Sequence, residues 1–210
     1  MTDTSDTTDL ITTVKQLEAV YDARPGATAL LKEVARITPE YERLIAAAPF
    51  FALASSGPGG LDCSPRGDAP GFVRVIDEHT IAVPDRNGNN RIDTLRNIVA
   101  DPRVALMFLI PGVGEALRIN GRAAISTRAE LIADFTVDGK PPRSVLLITV
   151  EAIYYQCARA IMRSRLWDPA ARVERSALPS SGEILAGIQA GFDAKAYDAR
   201  MPKLLKDGLY

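Results

Sequence analysis

Histidine is nearly absent from this chain of 210 residues: His79 is the single one. A zinc centre built on two or three histidines is therefore excluded within one chain. Cysteine is almost as scarce. With only Cys63 and Cys157, no Cys-rich metal site, iron–sulfur cluster or disulfide framework can be assembled. The two lie far apart and read as reduced thiols of a cytosolic protein. A serine-hydrolase triad would have to recruit His79 from Asp77-Glu78-His79-Thr80, a tetrapeptide that looks like a hairpin turn. An excess of either charge is missing too, since 25 Lys and Arg face 26 Asp and Glu. No uniform positive field exists to hold nucleic acid or an anionic membrane, so any anion must be bound by a local arginine cluster. The longest apolar run, Val104–Ile110, has the length of a strand and not of a membrane span. The opening MTDTSDTTDL is polar and acidic and lacks the basic and apolar regions of a signal peptide. The expectation is a cytoplasmic protein.

What is present is ordinary globular texture, 47% apolar and 24% charged. A chain of this length forms one domain, or one domain with a helical extension. Residues 1–9 read as a disordered tail and 10–48 as N-terminal helices. The first helix carries Val14, Leu17, Val20 and Tyr21, and the second runs over about 28–37. The third begins at Thr38-Pro39, with Thr as N-cap and Pro at the first helical position. From Phe50 the pattern changes to short strands, over 50–55, 61–64, 72–76 and 80–83, with Pro65–Gly71 as a loop. A helix over 91–100 precedes strands at 104–110 and 115–125. A short helix at 127–135, a strand at 144–155 and a helix at 156–166 follow. The remainder, 171–210, reads as a C-terminal helical tail, with one helix at 182–189 and then a mixed polar segment. Six or so antiparallel strands with helices at both ends point to a closed or partly closed β-barrel over 49–170. A Rossmann arrangement fails, because strands do not alternate with helices and no Gly-x-Gly-x-x-Gly follows a strand.

Three stretches carry candidate chemistry. Pro84-Asp85-Arg86-Asn87-Gly88-Asn89-Asn90-Arg91 follows a strand and opens a helix. Gly and Asn tolerate positive φ, so backbone N–H groups can converge there beside a helix N-terminus, while Arg86 and Arg91 add forked donors suited to phosphate. A solvated turn with an Asn cap is the plain alternative. Asp62-Cys63-Ser64-Pro65-Arg66-Gly67-Asp68 is the second, with Arg74 on the next strand; Arg66 and Asp68 could simply pair across the loop. The third is Arg159, Arg163 and Trp167, four apart and so in one helical stripe, either an anion-binding face or a solvated basic helix.

The segments DCSPRGDAPGFVRVID, IAVPDRNGNNRIDTLRNIVADPRVALMFLIPG, LRINGRA and CARAIMRSRLW, in that order, resemble the pyridoxamine 5′-phosphate oxidase-like superfamily. Within it they are most similar to the probable FMN-dependent enzymes with the Ser-Pro-Arg-Gly-Asp loop. The resemblance covers about 41–169. It implies a split β-barrel that forms a homodimer, with FMN in two clefts at the subunit interface. It implies that Arg74 and Arg91 hold the FMN phosphate, with Asn90 in the same turn. Gly71 and Phe72 would meet the ring edge through their backbone, Pro84 and Asp85 would lie along the cofactor, and Ser64 and Arg66 would lie near the ring. Arg159, Arg163 and Trp167 would approach from the other subunit. The oxidase's C-terminal Arg-x-His segment has no counterpart here, and Gln156 stands where close relatives often have His. The function so implied is an FMN-dependent oxidoreductase, with a non-catalytic flavin-binding stress protein and a deazaflavin-dependent reductase as rivals on the same fold.

Overall fold

The computed structural model describes residues 9–21 and 24–210. Most of the expected N-terminal tail, residues 1–8, lies outside the described residues. The chain divides into two units, residues 1–32 and 33–210. In the first, α1 (Val14–Val20) is closed by a capping box in which Thr13 and Gln16 satisfy each other's backbone N–H, and α2 (Ala27–Leu31) is a single turn and a half. The second helix was expected to reach Ile37, but in the larger unit Val34 leaves the helical path. It exchanges two backbone hydrogen bonds with Ile153, at 3.1 and 2.8 Å.

The larger unit begins with α3 (Pro39–Ala47), capped by Thr38, which accepts from the Tyr41 N–H. Its Tyr41 and Ile45 enter the core. Seven strands follow: β1 (Phe50–Gly57), β2 (Gly60–Gly67), β3 (Arg74–Asp77), β4 (Thr80–Asp85), β5 (Arg103–Leu109), β6 (Ala116–Ser126) and β7 (Ser144–Gln156). All pairings are antiparallel, in the order β2-β1-β5-β6-β7-β4-β3. Alternate residues of these strands fill one core, among them Phe51 and Leu53, Ile81 and Val83, Leu106 and Phe108, and Ile148 and Val150. The two ends of the sheet approach each other. Phe72, at the entrance to β3, stacks on Phe51 of β1 at 5.8 Å, and Phe51 also meets Phe108 at 4.8 Å. The sheet is thus curled into a barrel, as the strand pattern implied, of the split kind that the resemblance implied. At Gly121 the β6–β7 register shifts, and a Cβ there would stand 2.1 Å from the Thr149 carbonyl, so only glycine permits the close approach that bends these long strands.

Helix α4 (Asp93–Ala100) connects β4 to β5, and α5 (Ala129–Ala133) lies between β6 and β7. After β7 come α6 (Arg159–Ser164), α7 (Ser181–Ile188) and α8 (Ala194–Asp207). Three expectations need correction. Strand β2 continues through Pro65 to Gly67 where a loop was expected; it is an edge strand, and an edge leaves one side free of ladder partners, so proline costs little there. The helix expected from Gln156 begins only at Arg159, because Gln156 still pairs with Ala116. The mixed polar tail is largely helical. Asp193 caps α8, whose Asp198 accepts from the Gly182 N–H at 2.8 Å and from the Ser180 hydroxyl, joining α7 to α8. Among the described residues, no helix is long and apolar enough to cross a membrane.

Candidate functional site

A cleft of about 430 Å³ opens where four elements meet. Strand β2 contributes Asp62, Ser64 and Arg66, the end of β4 contributes Asp85, and β7 with the residue before it contributes Ser144 and Arg143. Between them lie the loop 86–92 and the first turn of α4, Asp93 to Leu95. Of the residues expected at a site, Ser64, Arg66, Asp85, Asn90 and Arg91 line this cleft, and β4 brings Pro84 to its edge. Pro84 is fully buried and pairs with Val145; β3 reaches only as far as Ala82, so the missing N–H of Pro84 breaks no ladder on that side.

The loop is shaped by two residues in the left-handed region, Asn90 at φ 63° and Ile92 at φ 53°. Asn adopts this conformation readily, whereas a β-branched residue does so rarely and at a cost. Ile92 precedes α4 without giving it a side-chain cap, so the first N–H groups of the helix lack that partner. Asn89 accepts from the Arg91 N–H at 3.1 Å and tightens the turn.

Charge in the cleft is nearly balanced, but unevenly committed. Arg66 donates to the Ser64 hydroxyl at 2.7 Å and to the Pro65 carbonyl at 3.1 Å, and lies 4.0 Å from Asp85. Its Nε–H is buried and has no hydrogen-bond partner. Burial raises the Asp85 carboxyl above the ordinary aspartate range, although Arg66 and Arg143 pull it back. Arg91 is paired with Asp93 at 2.8 Å. Arg86 is spent on Asp68, also at 2.8 Å. Arg143 differs. Its one hydrogen bond goes to the neutral side chain of Asn90, at 2.9 Å, and no carboxylate lies within 4.0 Å of it among the described residues. It is the cleft arginine that acts on Asp85 only from a distance, with no close ion pair. Sequence reasoning missed it, because it stands in Pro-Pro-Arg ahead of a strand, 53 residues from the Asn90 it joins.

The remaining expected residues lie elsewhere. Arg74 donates to the Asp134 carbonyl, pairs with the Asp134 carboxylate at 3.9 Å and covers the Phe135 ring at 4.7 Å, so it is turned toward the connection after α5. Gly71 has φ 88°, and Phe72 is buried in the core. Arg66 and Asp68 do not pair across their loop; each has found a partner on the other side of the cleft. Arg159 and Arg163 are exposed on α6, and Trp167 donates its indole N–H to the Val113 carbonyl at 2.7 Å. This group sits past Gln156, at the opposite end of β7 from Ser144 and the cleft. Thirteen extended residues span roughly 40 Å, so α6 does not reach the cleft of its own chain. His79 is on the β3–β4 turn as expected, its Nδ1 3.0 Å from the Ala35 carbonyl. No group of three or more potential metal ligands occurs among the described residues.

The family model for pyridoxamine 5′-phosphate oxidase matches residues 37–157, which is α3, all seven strands and the whole cleft. The chain belongs to the pyridoxamine 5′-phosphate oxidase family. Similar solved structures include HupZ of Group A Streptococcus, 21% identical, with a TM-score of 0.48 over 58% of this chain and 94% of that one. An FMN-binding protein from Syntrophomonas wolfei is 13% identical, with a TM-score of 0.43 over 66% of this chain and 95% of that one. General Stress Protein 26 from Bacillus anthracis is 14% identical, with a TM-score of 0.41 over 54% and 88%. None of the curated proteins matches the chain. In this family member, then, the family region holds the cleft, while α7 and α8 lie beyond it.

Proposed function

We propose that this family member binds FMN in the cleft and acts as an FMN-dependent oxidoreductase on a small molecule. The observation that carries the reading is the guanidinium of Arg143, which has no carboxylate within ion-pair distance among the described residues, set beside Arg91 and the uncapped first turn of α4. Forked donors, a helix N-terminus and a curled Asn-rich loop together form a receptor for a phosphate dianion. The opposite wall fits the rest of such a ligand: the buried, unpartnered Arg66 Nε–H, the Ser64 hydroxyl and the Asp85 carboxyl offer both donors and an acceptor. Bound FMN would supply the two-electron redox chemistry, and the protein its binding, orientation and electrostatics. Arg143, Arg91 and Asn90 would hold the phosphate end. Arg66 would set a positive charge against the ring, with Asp85 limiting its effect. Arg74, turned away from the cleft, would act by fixing the connection after α5.

A homodimer belongs to the same proposal. The outer faces of β1 and β5 are apolar as well as the inner ones: Phe50, Ala52 and Ala54 lie beside Leu109, Met107 and Ala105, with Phe50 38% and Met107 44% exposed. A second copy placed there would cover this face. The length of β7 separates α6 from its own cleft, so Arg159 and Arg163 would serve the cleft of the partner. The test is purification with excess FMN, desalting, and anaerobic titration with NADH or NADPH. The reading expects retained flavin absorbance that bleaches on reduction and returns with an acceptor. Protein that emerges free of flavin would overturn it.

A further inference from the structure

Asp68 follows β2, yet its carboxylate joins two distant segments, the loop at Arg86 and the residue Tyr210. Its side chain is only 4% exposed. It accepts from Arg86 Nε at 2.8 Å, from the Tyr210 hydroxyl at 2.7 Å and from the Ala69 N–H at 2.8 Å. Burial alone would raise this carboxyl, but the hydrogen bonds from Tyr210, Ala69 and Arg86 outweigh it and hold it below its ordinary range. Arg86 completes the knot by donating to the Phe135 carbonyl at 2.6 Å, and the Tyr210 ring covers its guanidinium at 5.4 Å. Arg86 is also a wall of the cleft. Residue 210, far beyond the family region, thus holds the residue from which the 86–92 loop springs.

We propose that Tyr210 is a positioning residue for the cleft: docked on the Asp68–Arg86 pair, it holds the 86–92 loop in its ligand-binding shape. The inference rests on the FMN reading for its ligand, though not for its geometry. Docking and occupancy then stabilise each other, because a coupling between two binding events is reciprocal. If Tyr210 only covered apolar surface, its loss would lower stability and leave the cleft alone.

The test uses the full chain, with FMN as the probe, in Tyr210→Phe and Tyr210→Ala. Coupling energies of this kind correspond to about 5- to 150-fold in affinity. Tyr210→Ala should weaken FMN binding by about fivefold or more, and Tyr210→Phe, which keeps the ring over Arg86, by less. Amide exchange over 86–92 should quicken in Tyr210→Ala without ligand, while the melting temperature stays close to wild type. FMN affinity within twofold of wild type, together with unchanged exchange over 86–92, overturns the proposal. Should the wild-type protein bind no FMN, the flavin reading falls and the exchange measurement decides alone: quickening supports the staple, and no change refutes it.

Discussion

Replacing Arg143 with Gln removes the one cleft cation that has no carboxylate partner, keeps a side chain able to meet Asn90, and leaves the paired arginines untouched. A charge-assisted hydrogen bond contributes about 1.5–3 kcal/mol. Arg143 is exposed, so screening brings it to the lower end. About 1.5 kcal/mol corresponds to roughly a tenfold loss of affinity. The loss should appear with FMN, whose phosphate is a dianion, and be absent with riboflavin, which has no phosphate. It should also shrink in about 1 M salt, where the screening length is roughly 3 Å. Fluorescence quenching of the two flavins, titrated with wild type and variant at low and high salt, measures all of this. Unchanged FMN affinity in Arg143→Gln would refute the assignment of the phosphate end. An equal loss for FMN and riboflavin would refute it as well, because the arginine would then be acting on the ring or on the fold.

Other outcomes follow from the same geometry. Asp85 has its folded pKa raised by burial, so the fold favours the protonated form, and wild type loses that stability as pH rises from the usual 3.8 through the folded value. Asp85→Asn should therefore gain on wild type in melting temperature as pH rises above about 4, and a gap independent of pH would contradict this. Gly121→Ala places a Cβ against the Thr149 carbonyl at 2.1 Å and should destabilise the barrel by about 1–3 kcal/mol, seen as a melting point lower by several degrees. Met107→Glu sets a charge on the apolar outer face of β5. Light scattering should show wild type at twice 22.7 kDa and the variant at 22.7 kDa with its melting transition intact; an unchanged mass would place the interface elsewhere.

Much of the barrel was legible because its signals are local. Thr38-Pro39 is a helix start whatever surrounds it, and the alternation along 144–155 already reads as a strand. The loop 84–91 stood out because glycine and asparagine let it curl before a helix, a composition it shares with a solvated turn and an Asn cap; the structure sets Asp85 to Ile92 along the cleft. The errors arose where tertiary context decides. Pro65 signals a break unless the strand is known to be an edge, and Gln156 can be assigned to β7 only once β6 is in place to pair with it. Helix α8 escaped notice because Pro202 interrupts a mostly polar pattern, and its fixing contact, Asp198 to α7, is not local. Arg143 and Tyr210 carry no motif at all. Their meaning comes from the charges that the fold brings to them, and from those it withholds.

The central claim is that the cleft is a receptor for a flavin with a terminal phosphate. Calorimetric titration of the wild-type chain with FMN, and separately with riboflavin, tests it most directly. One FMN should bind per chain, about tenfold or more tighter than riboflavin, as at least one charge-assisted phosphate contact requires. Equal affinities for the two, or no heat with either, would contradict it.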